Sequence, residues 1–437
     1  MKWYAGAILL LAVALVFQLG LLAYAMYALL AVLTVSRFLA RAWTENLSAA
    51  REVNRSTARI GDTLAVVVTV RHAGLLPVPW VLAEDVLPKP AIVRWPPRLR
   101  VTGSRFLIGS LWGGGRRTLN YQLHFEMRGY YQVGPLVLES GDLFGLHRRY
   151  RVAAEPHFVL VYPKVIPLSG YDLASRRPIG EIRLSHRLFE DPTRITGVRL
   201  YQPGDALNRV HWRATARTGV LHSKTYEPSS IAGATILLAF HQGEYAERDE
   251  PYVSELAVTT AASLANALYE LGQQVGLVTN GRDAADRIRR EGWAHDFRSR
   301  TAAQQSVSMR ETSDRLTPLV APTRRGAEQF ERILELLARV ELTDGLTFAQ
   351  LVAETASRLP RDATVVAILP DVPEQTAFAL SNLRRRGHAV SALLVIFDEE
   401  RYAACAGRLL SQGISSRRIN DEAALAAFCQ QQMVAPV

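Results

Sequence analysis

At 437 residues, with a formal net charge of +10 and 49% hydrophobic residues, the chain has room for two or three domains and a sizeable core. Its mean hydropathy of +0.03 is high for a wholly soluble protein. Two cysteines exclude a disulfide-built scaffold. The charge is lopsided: residues 1–230 hold 29 Lys and Arg against 15 Asp and Glu, while residues 231–437 hold 22 against 26. A basic half beside an apolar N-terminus suits an anionic lipid surface. Nucleic acid competes for that reading, but the arginines are scattered without a dense run, so no nucleic-acid partner is expected.

Trp3 to Ser36 carries no charged residue. One helix of that length would reach ~50 Å, well beyond a ~30 Å hydrocarbon core. Two short helices turning near Gln18-Leu19-Gly20 fit better. With Lys2 at one end and Arg37 and Arg41 at the other, the positive-inside rule makes residues 1–40 a transmembrane helical hairpin. The bulk of the chain is then cytoplasmic, at the inner (plasma) membrane. A single tilted helix is the rival, and it would decide which side the rest occupies. Ala23-x-Ala25 offers a signal-peptide cleavage pattern, but the apolar run continues past it.

Residues 41–165 change to a β pattern. Asp62–Arg71, Arg117–Phe125 and Tyr130–Glu139 alternate or run β-branched, and prolines and Gly113-Gly114-Gly115 punctuate them. That spacing predicts an antiparallel sandwich-like domain. Asn46 and Asn54 head glycosylation triplets, which a cytoplasmic chain does not use.

Residues 166–230 read as a linker with one dense motif, Arg199 to Lys224. A Pro203-Gly204 turn followed by Asp205 signals a helix start, a carboxylate there accepting from unpaired backbone N–H groups. Arg209, Arg213 and Arg217, four apart, would share one face beside Trp212, with Gly219 releasing the helix. The arginine row reads either as a surface that holds something or as structural pairing with Asp191, Asp205 or Glu227.

From 231 to 437 the period alternates. Strands are expected at Ala234–Phe240, Gln274–Val278, Thr364–Leu369 and Val390–Phe397. Helices are expected at Val253–Leu271, Ala327–Val340, Thr347–Leu359 and Gln375–Arg386. This is a doubly wound α/β pattern, with a polar insertion near 283–313. Cys405 and Cys429 lack metal-ligand spacing and read as buried small residues.

The stretch Arg199, Tyr201, Pro203, Gly204, Asp205, Arg209, Trp212, Ala216, Arg217 and Lys224 resembles the signature of the Domain of Unknown Function 58 family. Arg128, Gly129, Gly134 and Pro135, followed by Asp142, Phe144 and Gly145, resemble its upstream segments, with Leu143 where the family has proline. The resemblance implies a membrane-anchored protein whose C-terminal part is a von Willebrand factor A-like domain. It further implies a MoxR-type AAA+ ATPase as partner, with a transglutaminase-like membrane protein as a possible neighbour.

Von Willebrand factor A domains normally end their first strand in Asp-x-Ser-x-Ser, oxygen ligands for a divalent cation. Here ATILLAF runs into His241-Gln242-Gly243-Glu244, so no cofactor is expected. Asp371 could match a later acidic position but reads first as a helix cap, and nothing in the spacing supports Glu244 or Asp249 as substitutes. The sequence also lacks a phosphate loop, a His-Glu-x-x-His, a Gly-x-Ser-x-Gly and a Cys-x-x-Cys. Two functions remain. One is a non-enzymatic membrane adaptor or scaffold. The other is a hydrolase or nucleic-acid-processing enzyme using Asp205 or His211, with His222 nearby, on an anionic substrate held by the arginines.

Overall fold

The computed structural model describes residues 2–427 except 94, 146, 169–188, 202–209, 230–232, 287–315 and 361–362. It divides into two compact units. Unit 1 is Met1–Lys164 with Arg282–Ser313 and Glu335–Glu341; unit 2 is Val165–Gly281 with Asp314–Leu334 and Leu342–Val437.

Unit 1 begins with helices α1 (Lys2–Val16) and α2 (Gly20–Glu45), packed against each other. Gln18, at φ +54°, closes α1 in a left-handed residue. Leu19 N donates to Ala14 O and Gln18 N to Leu15 O, so carbonyls that the helix end leaves open are satisfied within the turn. Tyr4 Oη donates to Leu33 O at 2.7 Å, which puts the start of α1 beside the middle of α2. The second half of α2 is not a free apolar rod. Leu33, Ser36, Ala40 and Trp43 are buried, and Trp43 joins the core of the strands that follow.

Those strands are β1 (Leu47–Val53), β2 (Thr57–Arg59), β3 (Thr63–His72), β4 (Val78–Asp85), β5 (Leu99–Gly103), β6 (Phe106–Leu111), β7 (Arg116–Phe125), β8 (Gly129–Val133), β9 (Leu136–Gly141), β10 (Arg148–Ala154) and β11 (His157–Tyr162). A short helix α3 (Lys89–Val93) sits between β4 and β5. Two four-stranded antiparallel sheets, β1-β3-β7-β5 and β10-β9-β4-β6, share one apolar core. Alternation builds it: Leu64, Val66 and Val68 of β3 lie opposite Leu123, Tyr121 and Leu119 of β7, and Val70 and Phe125 are buried with them. The expected strand Tyr130–Glu139 is in fact two. Gly134 at φ +96° and Pro135 break it, sending β8 to a three-stranded sheet with β2 and β11, and β9 to the sandwich. Proline lacks the N–H that a continuous ladder needs.

Unit 2 opens with β12 (Phe189–Leu200) paired antiparallel to β13 (His222–Ser229), with α4 (Trp212–Thr218) in the connection. The α/β sheet follows: β14 (Gly233–Leu238), α5 (Tyr252–Glu270), β15 (Gln274–Thr279) and β17 (Leu319–Arg324). Strand β16 (Arg282–Asp283) lies outside it, paired with β18 (Val340–Glu341), as part of unit 1. Helix α6 (Ala327–Arg339) precedes β18, and α7 (Phe348–Thr355), β19 (Thr364–Leu369), α8 (Glu374–Arg385), β20 (Val390–Leu394), α9 (Glu399–Ser411), β21 (Ser415–Arg418) and α10 (Glu422–Ala426) complete the chain. The sheet order is β17-β15-β14-β19-β20-β21, parallel except for the antiparallel edge strand β17. Every residue of β14 and β19 is buried, as a parallel strand covered on both faces requires.

Candidate functional site

In a doubly wound sheet, ligands bind outside the carboxyl ends of the strands where the winding reverses. Here that point lies between β14 and β19, because β15 lies on the other side of β14 and β20 on the other side of β19. Two acids sit at this edge. Glu244, in a single 3₁₀ turn after β14, is buried, and its Oε1 accepts from Phe348 N at the start of α7 at 3.0 Å. Its Oε2 is buried with no partner among the described residues. Burial chiefly, and the nearby Asp371 charge, push the carboxyl up to about 7, against the lowering effect of the Phe348 N–H.

Asp371 follows β19 and is fully engaged. Oδ1 accepts from Val372 N at 2.8 Å and from Cys405 Sγ at 3.3 Å, while Oδ2 pairs with Arg401 at 3.1 Å. Asp371 therefore does not cap α8: the cap position is Pro373, which makes no side-chain bond. Burial raises the Cys405 thiol above its usual range, consistent with a small packed residue. Cys429 lies outside the described residues. Beside Asp371 the edge forms a shallow depression lined by Asp249, Val253, Pro370, Phe397, Asp398 and Arg401. Its enclosed space is ≈ 10 Å³. That suits one water molecule, against the ~300–1,000 Å³ of a small-molecule site. Asp398 caps α9 through Glu400 N and Arg401 N, and those bonds, the Arg401 one foremost, hold its carboxyl low. No three potential metal ligands gather among the described residues.

The signature stretch lies on the β12–α4–β13 element. Val198 faces Lys224, Arg199 faces Ser223 and Leu200 faces His222 across the ladder, and Tyr201 N donates to Leu221 O. The helix starts at Trp212, not at Asp205. His211 is its cap, its Nδ1 accepting from Ala214 N at 3.0 Å, and Gly219 at φ +73° ends it as expected. A histidine nitrogen can accept from the same N–H groups as an Asp cap, a role the sequence pattern does not advertise. Pro203, Gly204, Asp205 and Arg209 lie outside the described residues, as do the side chains of Asp191 and Glu227. Arg213 and Arg217 share one exposed face of α4, and no bond among the described residues holds either guanidinium. Trp212 is 67% exposed, and Val198, Leu200, Val220 and Leu221 are exposed on the same element.

The upstream motif is architectural. Arg128 is buried and donates to Leu337 O and Val340 O, both at 2.8 Å. Gly129 lies against the Tyr131 ring, and Gly134 sits where a side chain would strike Arg51. Pro135 O accepts from Val86 N. Asp142 gathers the turn before β10: its carboxylate accepts from Ser36 Oγ at 2.5 Å and His147 N at 2.7 Å, and its carbonyl from Trp80 Nε1 and Gly145 N. Leu143 and Phe144 are exposed on that turn.

Residues 197–299 match the family described as Protein of unknown function DUF58. The chain is 24% identical over 258 residues to the uncharacterized protein YeaD of Bacillus subtilis (strain 168), covering 59% of this chain and 62% of that one. The match thus spans less than two thirds of that relative's length. Among solved structures, the chain is similar to the CARDB domain of the PF1109 protein of Pyrococcus furiosus, at 12% identity over 26% of this chain and 86% of that one, with a TM-score of 0.19. It is also similar to a cohesin module of a Clostridium perfringens family 33 glycoside hydrolase, at 15% identity over 26% and 96%, with a TM-score of 0.19.

Proposed function

We propose that this member of the DUF58 family is a membrane-anchored, non-enzymatic adaptor whose C-terminal unit, a von Willebrand factor A-like domain, is presented to a protein partner. The partner proposed is a MoxR-type AAA+ ATPase, with a transglutaminase-like membrane protein as neighbour, in a chaperone-like or complex-assembly role at the inner membrane. The bulk of the chain is placed in the cytoplasm. The observation that carries the reading is the exposure of Trp212 beside Arg213 and Arg217. Aromatic and arginine side chains are the residues that dominate protein contacts, and leaving an indole in water is unfavourable unless something covers it.

Supporting this, Asp371 is held by Val372 N and Arg401, Glu244 Oε1 by Phe348 N, and the depression beside Asp371 encloses room for about one water. Among the described residues, Glu244 favours the enzyme reading, its carboxyl pushed up to about 7 by burial and so suited to proton transfer. A photo-crosslinker at position 212, in native membranes, tests the proposal. An AAA+ ATPase joined to the chain, and lost in a folded Arg213→Ala variant, supports it. If crosslinks form only within the chain, the surface is not the contact. Turnover of an anionic substrate abolished by Glu244→Gln would favour the enzyme.

A further inference from the structure

The hairpin of α1 and α2 has feet and a tip, and both are informative. Helix α2 is long and apolar enough to cross a membrane, but from Leu33, whose carbonyl accepts from Tyr4, its buried face is held by the protein: Ser36 bonds Asp142 and Trp43 joins the sandwich core. The free legs are Tyr4 to Val16 and Gly20 to Leu33, which rise ~20 and ~21 Å at ~1.5 Å per residue. A spanning leg needs ~30 Å. The tip reinforces the mismatch. Phe17, Leu19 and Leu21 are exposed there, Gln18 is the one polar side chain from 16 to 21, and no charge marks a far water face. Phe17, Gln18, Leu19, Gly20 and Ala23 N–H groups all bond within the hairpin. Satisfying most of the N–H groups from 17 to 23 internally lowers the cost of taking the turn into hydrocarbon.

At the feet, Tyr4 binds Leu33 O and stacks on His147, and Ser36 binds Asp142. These bonds fix the Asp142 turn where the hairpin leaves the sandwich. Leu143 is 69% exposed and Phe144 67% exposed on that turn, and Trp3 and Phe38 are exposed on the adjoining helices. Arg37 is exposed at the same level, and Arg148 just beyond the turn. Aromatic side chains bracketed by arginines match the boundary between acyl chains and anionic headgroups.

We propose that the hairpin is re-entrant, entering the bilayer and turning back inside it, and that the Asp142–Gly145 turn is a second membrane contact seated at the same interface. The proposal rests on the membrane anchoring above and adds its depth and its second contact point. It also gives the Asp-Leu-Phe-Gly segment a role in lipid binding.

The test uses the full chain in inverted and right-side-out vesicles. Gln18→Cys is treated with a membrane-impermeant maleimide, with the unsubstituted protein as baseline. Protection from both faces, relieved by detergent, is expected. Labelling from the face opposite Leu75→Cys means that the hairpin spans and overturns the re-entrant topology. Release of the chain by carbonate would instead sink membrane anchoring itself. For the turn, an environment-sensitive dye at Phe144→Cys in vesicles of mixed zwitterionic and anionic phospholipid is quenched by spin labels placed near the headgroup. The same dye at Leu75→Cys, next to the far end of α2, stays bright. An unquenched dye at 144, in a chain that remains membrane-bound and protease-resistant, removes the turn from the interface.

Discussion

Replacing Glu244 by Gln separates the cost of burying a charge from every other contribution at the sheet edge. Glu244 titrates at about 7 in the fold, against 4.5 for the free side chain. Because the folded value is the higher one, the stabilising proton is retained fully below pH 4.5, and the advantage is lost as pH rises towards 7. Above that, both states are ionised and the fold carries the whole penalty. At ~1.36 kcal/mol per unit, the penalty grows from near nothing at pH 4 to about 3 kcal/mol at pH 8. Gln keeps the Oε1 acceptor for Phe348 N, and any cost of its amide in place of the unpartnered Oε2 is independent of pH. The difference between variant and wild type therefore isolates one ionisation. Melting of the α/β unit in the detergent-solubilised chain should show Gln gaining on wild type by roughly 6–12 °C between pH 4.5 and 8, at ~2–4 °C per kcal/mol. Parallel melting profiles across that range would refute the assignment of a buried, proton-holding carboxyl.

The same edge gives a second expectation: Asp371→Asn should move the wild-type pH dependence to lower pH, because a repelling charge is lost and Arg401 loses its carboxylate partner. In the sandwich, Asp85 is fully buried and accepts from Arg51 Nε at 2.8 Å and Tyr121 Oη at 2.7 Å. Asp85→Ala strands the Arg51 cation and should cost about 3–5 kcal/mol in chemical denaturation of the β unit; a loss below 1 kcal/mol would mean that the network is not formed. Gly219→Ala meets open space but forces a left-handed alanine, so hydrogen exchange at the end of α4 should rise by the equivalent of ~1 kcal/mol.

The elements visible in the sequence were those whose periodicity follows from burial on one known face. Helix α5 and strands β14, β15 and β19 match their expected positions closely, since a strand covered on both sides is apolar throughout. The two N-terminal helices were legible from the uncharged run, but α2 is not short: it continues past Ser36 through Arg37 and Arg41 to Glu45. What stayed hidden depended on partners distant in sequence. Strand β17 is a short edge strand that follows residues 287–315, where the expected polar insertion lies outside the described residues, and its pairing with β15 leaves no local pattern. Glu244 looked like an ordinary loop acid, and only Phe348, 104 residues away, shows that it is folded inward. The helix at 212 was misplaced because a Pro-Gly-Asp turn is the stronger local signal and His211 is an uncommon cap.

The two motifs therefore divide by physics, not by position. Arg128 and Gly134 are fixed by buried geometry: one satisfies carbonyls, and the other leaves room for Arg51 against Asp85. Substitutions there act on folding, because a buried donor or charge left without its partner costs several times what the intact bond contributes. Trp212, Arg213 and Arg217 hold no such contact among the described residues, and neither do the exposed Leu143 and Phe144. Exposed residues of these types add little to the stability of the isolated fold. Alanine at 212, 213 or 217 should therefore leave melting within about 0.5 kcal/mol of wild type. A larger loss would show that the arginine row serves the fold, and the adaptor surface would have to be sought at the sheet edge instead.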